Sequence, residues 1–283
     1  MDGKVVVITG GTSGIGQVAA TSLAGQGARI ILIARNRSRA AQALADFSRA
    51  GPGLAHRWVH ADLASIGETH RVAAEIAQAE PRIDVLINNA GALFNRRQLS
   101  PDGLEMTFAV NHMAYFVLTE GLKQTLLKSS PARIVNTASG AHRGASLDFD
   151  DLQSERAYSG FPVYGRSKLC NILFTRELAH RLGGTGVTAN SLHPGFVATR
   201  FGAESGGLLQ AVMPLAKLGA ISPRKGAETI VYLASSPDVE AASGGYFYQC
   251  RPDTPSPAAQ DDAAASRLWE VSERLEAAAV GVG

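Results

Sequence analysis

Two cysteines in 283 residues, Cys170 and Cys250, stand far apart and at no metal-binding spacing. That scarcity excludes a disulfide scaffold and a zinc cluster and fits free thiols in a reducing compartment. Charge of one sign is missing too: 27 Lys and Arg against 25 Asp and Glu leave +2. A balance so near neutral excludes a general nucleic-acid-binding surface, and the basic residues cluster only at Arg35, Arg37 and Arg39. No apolar run reaches the roughly 18 residues of a membrane span. The first residues, Met1-Asp2-Gly3-Lys4, enter an apolar stretch at once, with no room for a signal or anchor. A cytoplasmic protein is expected. Among the seven histidines, His60-x-Asp62 reads as a strand end, and no metal is expected. Internal repeats and a domain linker are also lacking.

What the chain does contain is 45% hydrophobic and 18% charged residues, the balance of a globular protein able to bury a large core. Short β-branched runs at 5–8, 29–34, 56–60, 83–87, 133–136, 187–192 and 246–248 alternate with helical patterns. The helical patterns fall at 40–49, 65–79, 103–128, 163–182 and 223–233. Such alternation predicts right-handed βαβ crossovers and an α/β fold of the Rossmann type: one doubly wound parallel sheet of about seven strands, with helices on both faces. Residues 1–283 are expected to form one domain, with a helical extension at 252–283 that packs through Leu268, Trp269, Val271 and Leu275. The apolar, glycine-interrupted segment 201–220 reads as a lid or as a core helix, with neither favoured.

Directly after the first strand comes Thr9-Gly10-Gly11-Thr12-Ser13-Gly14-Ile15-Gly16, and then a helix. Bare backbone lets a pyrophosphate approach, and the unpaired N–H groups of the helix start can meet it. The second strand ends at Arg35-Asn36-Arg37, about 20 residues on, where an acidic residue would favour an unphosphorylated ribose. None is present, and an arginine there can pair with a 2′-phosphate, which predicts NADP(H) as cofactor. Asp62-Leu63 closes the third strand, where a carboxylate could reach an adenine amino group. In Tyr164-Gly165-Arg166-Ser167-Lys168, the phenol and the ammonium stand one helical turn apart. A nearby cation stabilises phenolate and can draw the tyrosine pKa down from about 10. Cys170, about 200° round that helix from Lys168, is expected to be a packed thiol, and His193 to serve structure.

Thr9-Gly10-x-x-x-Gly14-x-Gly16, Asn88-Asn89-Ala90-Gly91, Asn111, Ser139, Tyr164-x-x-x-Lys168 and Pro194-Gly195 occur in that order. With these motifs the chain resembles the short-chain dehydrogenase/reductase superfamily over essentially its whole length. Asp102-Gly103-Leu104-Glu105, the stretch 164–182 and Leu268-Trp269-Glu270 are similar to the retinol dehydrogenase-like branch. The resemblance implies an oxidoreductase in which Tyr164 is the acid or base and Ser139 holds the substrate oxygen. Lys168 would bind the nicotinamide ribose, and Asn111 a water that relays protons. Pro194, Gly195, Val197 and Thr199 would flank the nicotinamide, and Asn89, Ala90 and Gly91 the adenosine ribose side. The expected substrate is a small apolar carbonyl or alcohol, and the family suggests a homodimer through the long helices. Two other readings are a dinucleotide-sensing regulator without chemistry and, since the Cys170 surroundings resemble protochlorophyllide reductases, a reductase of a conjugated double bond.

Overall fold

A computed structural model describes residues 1–196 and 221–281. The expected strands form as β1 (Val5–Thr9), β2 (Arg29–Ala34), β3 (Arg57–His60), β4 (Val85–Asn88), β5 (Ala132–Thr137), β6 (Val187–Leu192) and β7 (Tyr246–Tyr248). They lie in one sheet of order β3-β2-β1-β4-β5-β6-β7, all parallel. An eighth strand, β8 (Arg251–Pro252), adds an antiparallel edge through Phe247↔Pro252 and Tyr248↔Arg251. Two residues ending in proline give no β pattern, so this strand was not legible in the sequence.

Strand residues alternate between two cores. Val5 and Val7, with Ile31 and Ile33, face the cluster that includes Ile76, Phe116, Leu173 and Trp269. Val6 and Ile8, with Ile30 and Leu32, face the one that includes Leu23, Phe47 and Ile230. Burial on both faces explains why these strands read as unbroken apolar runs. One face carries α3 (Ile66–Ala79), α5 (Ala114–Lys128) and α6 (Gly160–Arg181); the other carries α1 (Gly14–Gly25), α2 (Arg37–Ala50) and α7 (Pro223–Ser235).

Helix starts shift with their caps. Helix α2 begins three residues before the apolar pattern because the Asn36 side chain accepts from the Arg39 N–H at 3.0 Å. Helix α6 starts three residues before its pattern too, at Gly160, without a side-chain cap at Ser159 and with Pro162 tolerated in its first turn. The expected helix over 103–128 is interrupted. Glu105 caps the short turn α4 (Met106–Phe108), a π-helical turn follows at Ala109–Met113, and regular helix resumes as α5. Helix α8 (Asp262–Val280) crosses α6 and α3, capped by Asp261 at the Ala264 N–H. Its Leu268 and Trp269 are buried as expected, while Val271 and Leu275 are half-buried. Segment 201–220 and the residues Val197 and Thr199 lie outside the described residues.

Candidate active site

The sheet order reverses between β1 and β4, and a ligand crevice opens beyond the strand ends at such a point. The Thr9 Oγ1 accepts the N–H groups of Asn89 and Ala90 at 2.9 and 3.0 Å, and the Asn89 amide donates to the Gly10 carbonyl at 3.2 Å. These bonds staple the glycine turn to the Asn89-Ala90-Gly91 turn. Gly10 has φ +67°, and a Cβ there would meet the Ala90 Cα at 2.8 Å, so both backbone angle and space require glycine. Thr12, Gly14 and Ile15 stay partly accessible around the start of α1. Ser13 caps α1 in extended conformation without a side-chain hydrogen bond, and no acid stands in its first turn. That donor set suits an anion.

Farther along the edge, Arg35 meets Asp62: the guanidinium donates to the carboxylate at 3.3 Å, with the arginine side chain 72% exposed. Two residues expected to touch a cofactor therefore hold each other. The Asp62 carboxylate also accepts the Ala64 N–H at 3.1 Å, and Leu63 packs against the core. Asn36 is engaged as the α2 cap.

Asn111, Ser139, Tyr164 and Lys168 come together beyond β4 and β5. The π turn holds Asn111, wholly buried, so that its Nδ2 donates to the Ala92 carbonyl and the Ser167 Oγ, both at 2.9 Å. Its Oδ1 accepts the Ala92 N–H at 2.8 Å. Three of four amide positions are thus committed, two to Ala92 just after Gly91 and one to Ser167 of α6. Lys168 is buried, and its Nζ donates to the Thr137 carbonyl at 3.0 Å. Gly91 is bare because a Cβ would stand 3.2 Å from that Nζ and 3.3 Å from the Asn111 Oδ1. The Ser139 hydroxyl faces the Tyr164 phenol closely enough to favour its ionised form.

The electrostatics depart from the expectation built on Tyr164 and Lys168 alone. Burial pushes the Tyr164 phenol up to about 12, and the Ser139 hydroxyl only partly offsets it. Burial also brings the Lys168 ammonium down to about 7. The ammonium sits 5.6 Å from the Tyr164 ring centroid, over the ring, and is anchored on Thr137. Desolvation therefore outweighs the cation in the free protein.

Several contributors carry no motif. Tyr115 donates to the Ala90 carbonyl at 2.8 Å and its ring lies 5.6 Å from the Lys168 Nζ. Asn136 and Thr119 accept from Asn88 of the Asn88-Asn89-Ala90-Gly91 motif, and Asn136 donates to Thr175, a buried polar strip under the site. His142 touches the Ser139 carbonyl at 2.7 Å. A polar residue in an apolar strand, as at Asn136, was the one available signal. Pro194 and Gly195 follow β6, where the His193 Nδ1 accepts the Gly195 N–H at 3.2 Å and the His193 ring stacks on Tyr248 at 4.0 Å. The Cys170 thiol is buried and pushed up to about 12, an inert packed group.

An anion-suited helix start, a bare Gly91 and a buried lysine with N–H bonds beyond the one given to Thr137 fit a dinucleotide laid across the crevice. A profile of the short chain dehydrogenase family matches residues 4–206. The chain belongs to that family. This short-chain dehydrogenase is 44% identical to human "Retinol dehydrogenase 14", over 96% of its own length and 86% of the relative's. Human "Retinol dehydrogenase 13" is 40% identical over 96% and 84%. Among solved structures, an uncharacterized protein from Mycobacterium Paratuberculosis superposes with a TM-score of 0.78 at 29% identity, over 97% of this chain and 94% of that one. The "RhlG/NADP active-site complex" of Pseudomonas aeruginosa gives 0.69 at 26% identity, over 87% and 94%. The family fold makes this an oxidoreductase with a nicotinamide dinucleotide cofactor. Among the described residues, no helix is long and apolar enough to cross a membrane.

Proposed function

We propose that this dehydrogenase interconverts an apolar alcohol with its ketone or aldehyde, using NADP(H), in the cytoplasm, within one domain. The observation that carries the reading is the buried Tyr164 phenol facing Ser139 beside Lys168. When bound, the cofactor supplies or accepts the hydride. Tyr164 gives a proton to the carbonyl oxygen in reduction and removes it from the alcohol in oxidation. Ser139 donates a second hydrogen bond to the same oxygen as charge develops there. A phenol kept protonated by burial is suited to the acid role. Lys168, held by Thr137, would contact the ribose, and Asn111 fixes the chain between Gly91 and Ala92, leaving one Oδ1 lone pair for a relay water.

Gly10, Thr12, Ser13, Gly14 and Ile15 would hold the pyrophosphate side, and Arg35 with Asn36, Asp62 and Leu63 the adenosine. Asn89, Ala90, Pro194, Gly195, Val197 and Thr199 would line the remainder. The RhlG complex with NADP and the exposed Arg35 support the phosphorylated cofactor. Retinol dehydrogenase relatives support an apolar substrate, as do Phe161 and Phe196, each 56% exposed and flanking Tyr164 and Gly195 in sequence. Pairing of two copies through α5 and α6 would use the parts of those helices that α8 leaves open.

A panel of hydrophobic aldehydes, ketones and alcohols assayed by NADPH turnover tests this function. In Tyr164→Phe, turnover is expected to fall by about 10²–10⁴-fold, with NADPH affinity by fluorescence titration unchanged. Full activity in that variant removes the acid/base assignment. Product analysis showing a reduced double bond with its carbonyl intact removes the reaction class.

A further inference from the structure

His142, wholly buried in the 3₁₀ turn Gly140–Gly144, takes no part in the proton transfer above. Its Nδ1 lies 2.7 Å from the Ser139 carbonyl oxygen, and its Nε2 lies 3.1 Å from the Ser256 backbone nitrogen. A carbonyl can only accept and an amide N–H can only donate. The ring proton therefore sits on Nδ1 and the lone pair on Nε2, a neutral imidazole in one tautomer. Arg143 and Asp253, paired at 2.8 Å, flank the ring, and Tyr246 meets it edge-on at 5.1 Å. Ser256 lies beyond residue 206, where the family profile ends, in the segment leading to α8.

We propose that His142 is a positioning residue that sets the Ser139 turn against the C-terminal extension, so that the hydroxyl facing Tyr164 depends on a residue 114 positions away from His142. The role rests on Ser139 acting as donor to the substrate oxygen. The imidazole holds Ser139 by its carbonyl, and the side chain of the same residue caps the Ala141 N–H at 3.2 Å. Protonation would abolish the acceptor for Ser256 and open the tie.

Nitrogen-15 NMR of ring-labelled histidine, assigned with His142→Asn, is expected to show the neutral Nδ1–H tautomer at pH 7. Amide exchange in His142→Phe is expected to quicken at least tenfold at Ala141 and Ser256. His142→Asn, which keeps a donor near the Nδ1 position, should restore Ala141 but not Ser256. With NADPH and the fastest aldehyde of the panel, His142→Phe should lower kcat about tenfold with NADPH affinity unchanged. It should add nothing further in a Ser139→Ala background.

A different tautomer, unchanged Ala141 exchange, or additive losses in the double variant overturns the proposal. If His142→Phe does not fold, Ser256→Pro removes the donated N–H together with a hydroxyl that makes no hydrogen bond, at a φ of −61° that proline adopts. It should lower kcat and quicken Ala141 exchange; no change in either is equally fatal. If the panel yields no substrate, or Ser139→Ala is fully active, the reading of Ser139 falls, while the NMR and exchange results still decide the tie itself.

Discussion

At Arg35 the choice of cofactor comes down to one side chain and its competitor. Asp62 already holds the guanidinium at 3.3 Å, but both groups are exposed, so the pair is weak and open to exchange for a phosphate. Wild type should bind NADPH more tightly than NADH, and Arg35→Asp should weaken NADPH binding by roughly 10-fold while leaving NADH little changed. Fluorescence titration of both cofactors measures this, and tighter NADH binding by the wild type would contradict the NADP(H) assignment. The residue types were legible here because a strand end and a missing acid are local facts. The contact between Arg35 and Asp62 was not, since it joins two strand ends 27 positions apart. Tyr164 and Lys168 show the same division: their spacing is readable, but their dielectric surroundings are not, and burial reverses the expected direction of the tyrosine shift.

At the scale of elements, the π turn Ala109–Met113 does what the pattern over 103–128 could not announce. Its wider winding places Asn111 toward the site and His112 toward α8, both buried, on adjacent residues. Helix α8 is itself held by aromatic packing. The Trp269 ring lies 4.9 Å from Phe116 of α5 and 5.7 Å from Phe174 of α6, with the Arg181 guanidinium over it at 4.3 Å. Trp269→Ala should therefore cost about 3–5 kcal/mol, read as a lowered urea midpoint. A midpoint unchanged from wild type would mean that α8 docks without this residue. Amphipathic spacing made the helix and its buried residues legible; which helices it would cover required the fold.

For the molecule as a whole, buried histidines set the response to acid. Burial lowers the His112 pKa to about 3 and that of His193 to about 4, and it lowers His142 as well. Each depressed group is neutral in the folded state, so its contribution is complete above the ordinary value of about 6.5. That contribution is lost as pH falls through the interval down to the folded pKa, because the unfolded chain binds more protons there. Glu276 acts oppositely. Burial first, then Glu120 and Glu273, raise it to about 7, so it favours the folded state on acidification between the ordinary carboxylate range and 7. Two deeply displaced histidines outweigh one half-buried carboxyl. The melting temperature should fall from pH 7.5 to pH 5, and His112→Gln should flatten the decline. A melting temperature independent of pH over that interval would refute the balance.

The sequence by itself determined the succession of seven parallel strands with helices between them, the phosphate-suited glycine turn and the identity of the proposed catalytic residues. Each of these is written in local composition and spacing. Tertiary structure alone decided that Thr137 anchors Lys168, that Asn111 holds Ala92, and that His142 joins Ser139 to Ser256. These contacts link chain segments brought together by the sheet, and burial within it sets the proton affinities of Tyr164 and Lys168. Neither the partner across the fold nor the water excluded on folding is encoded in any single stretch of residues.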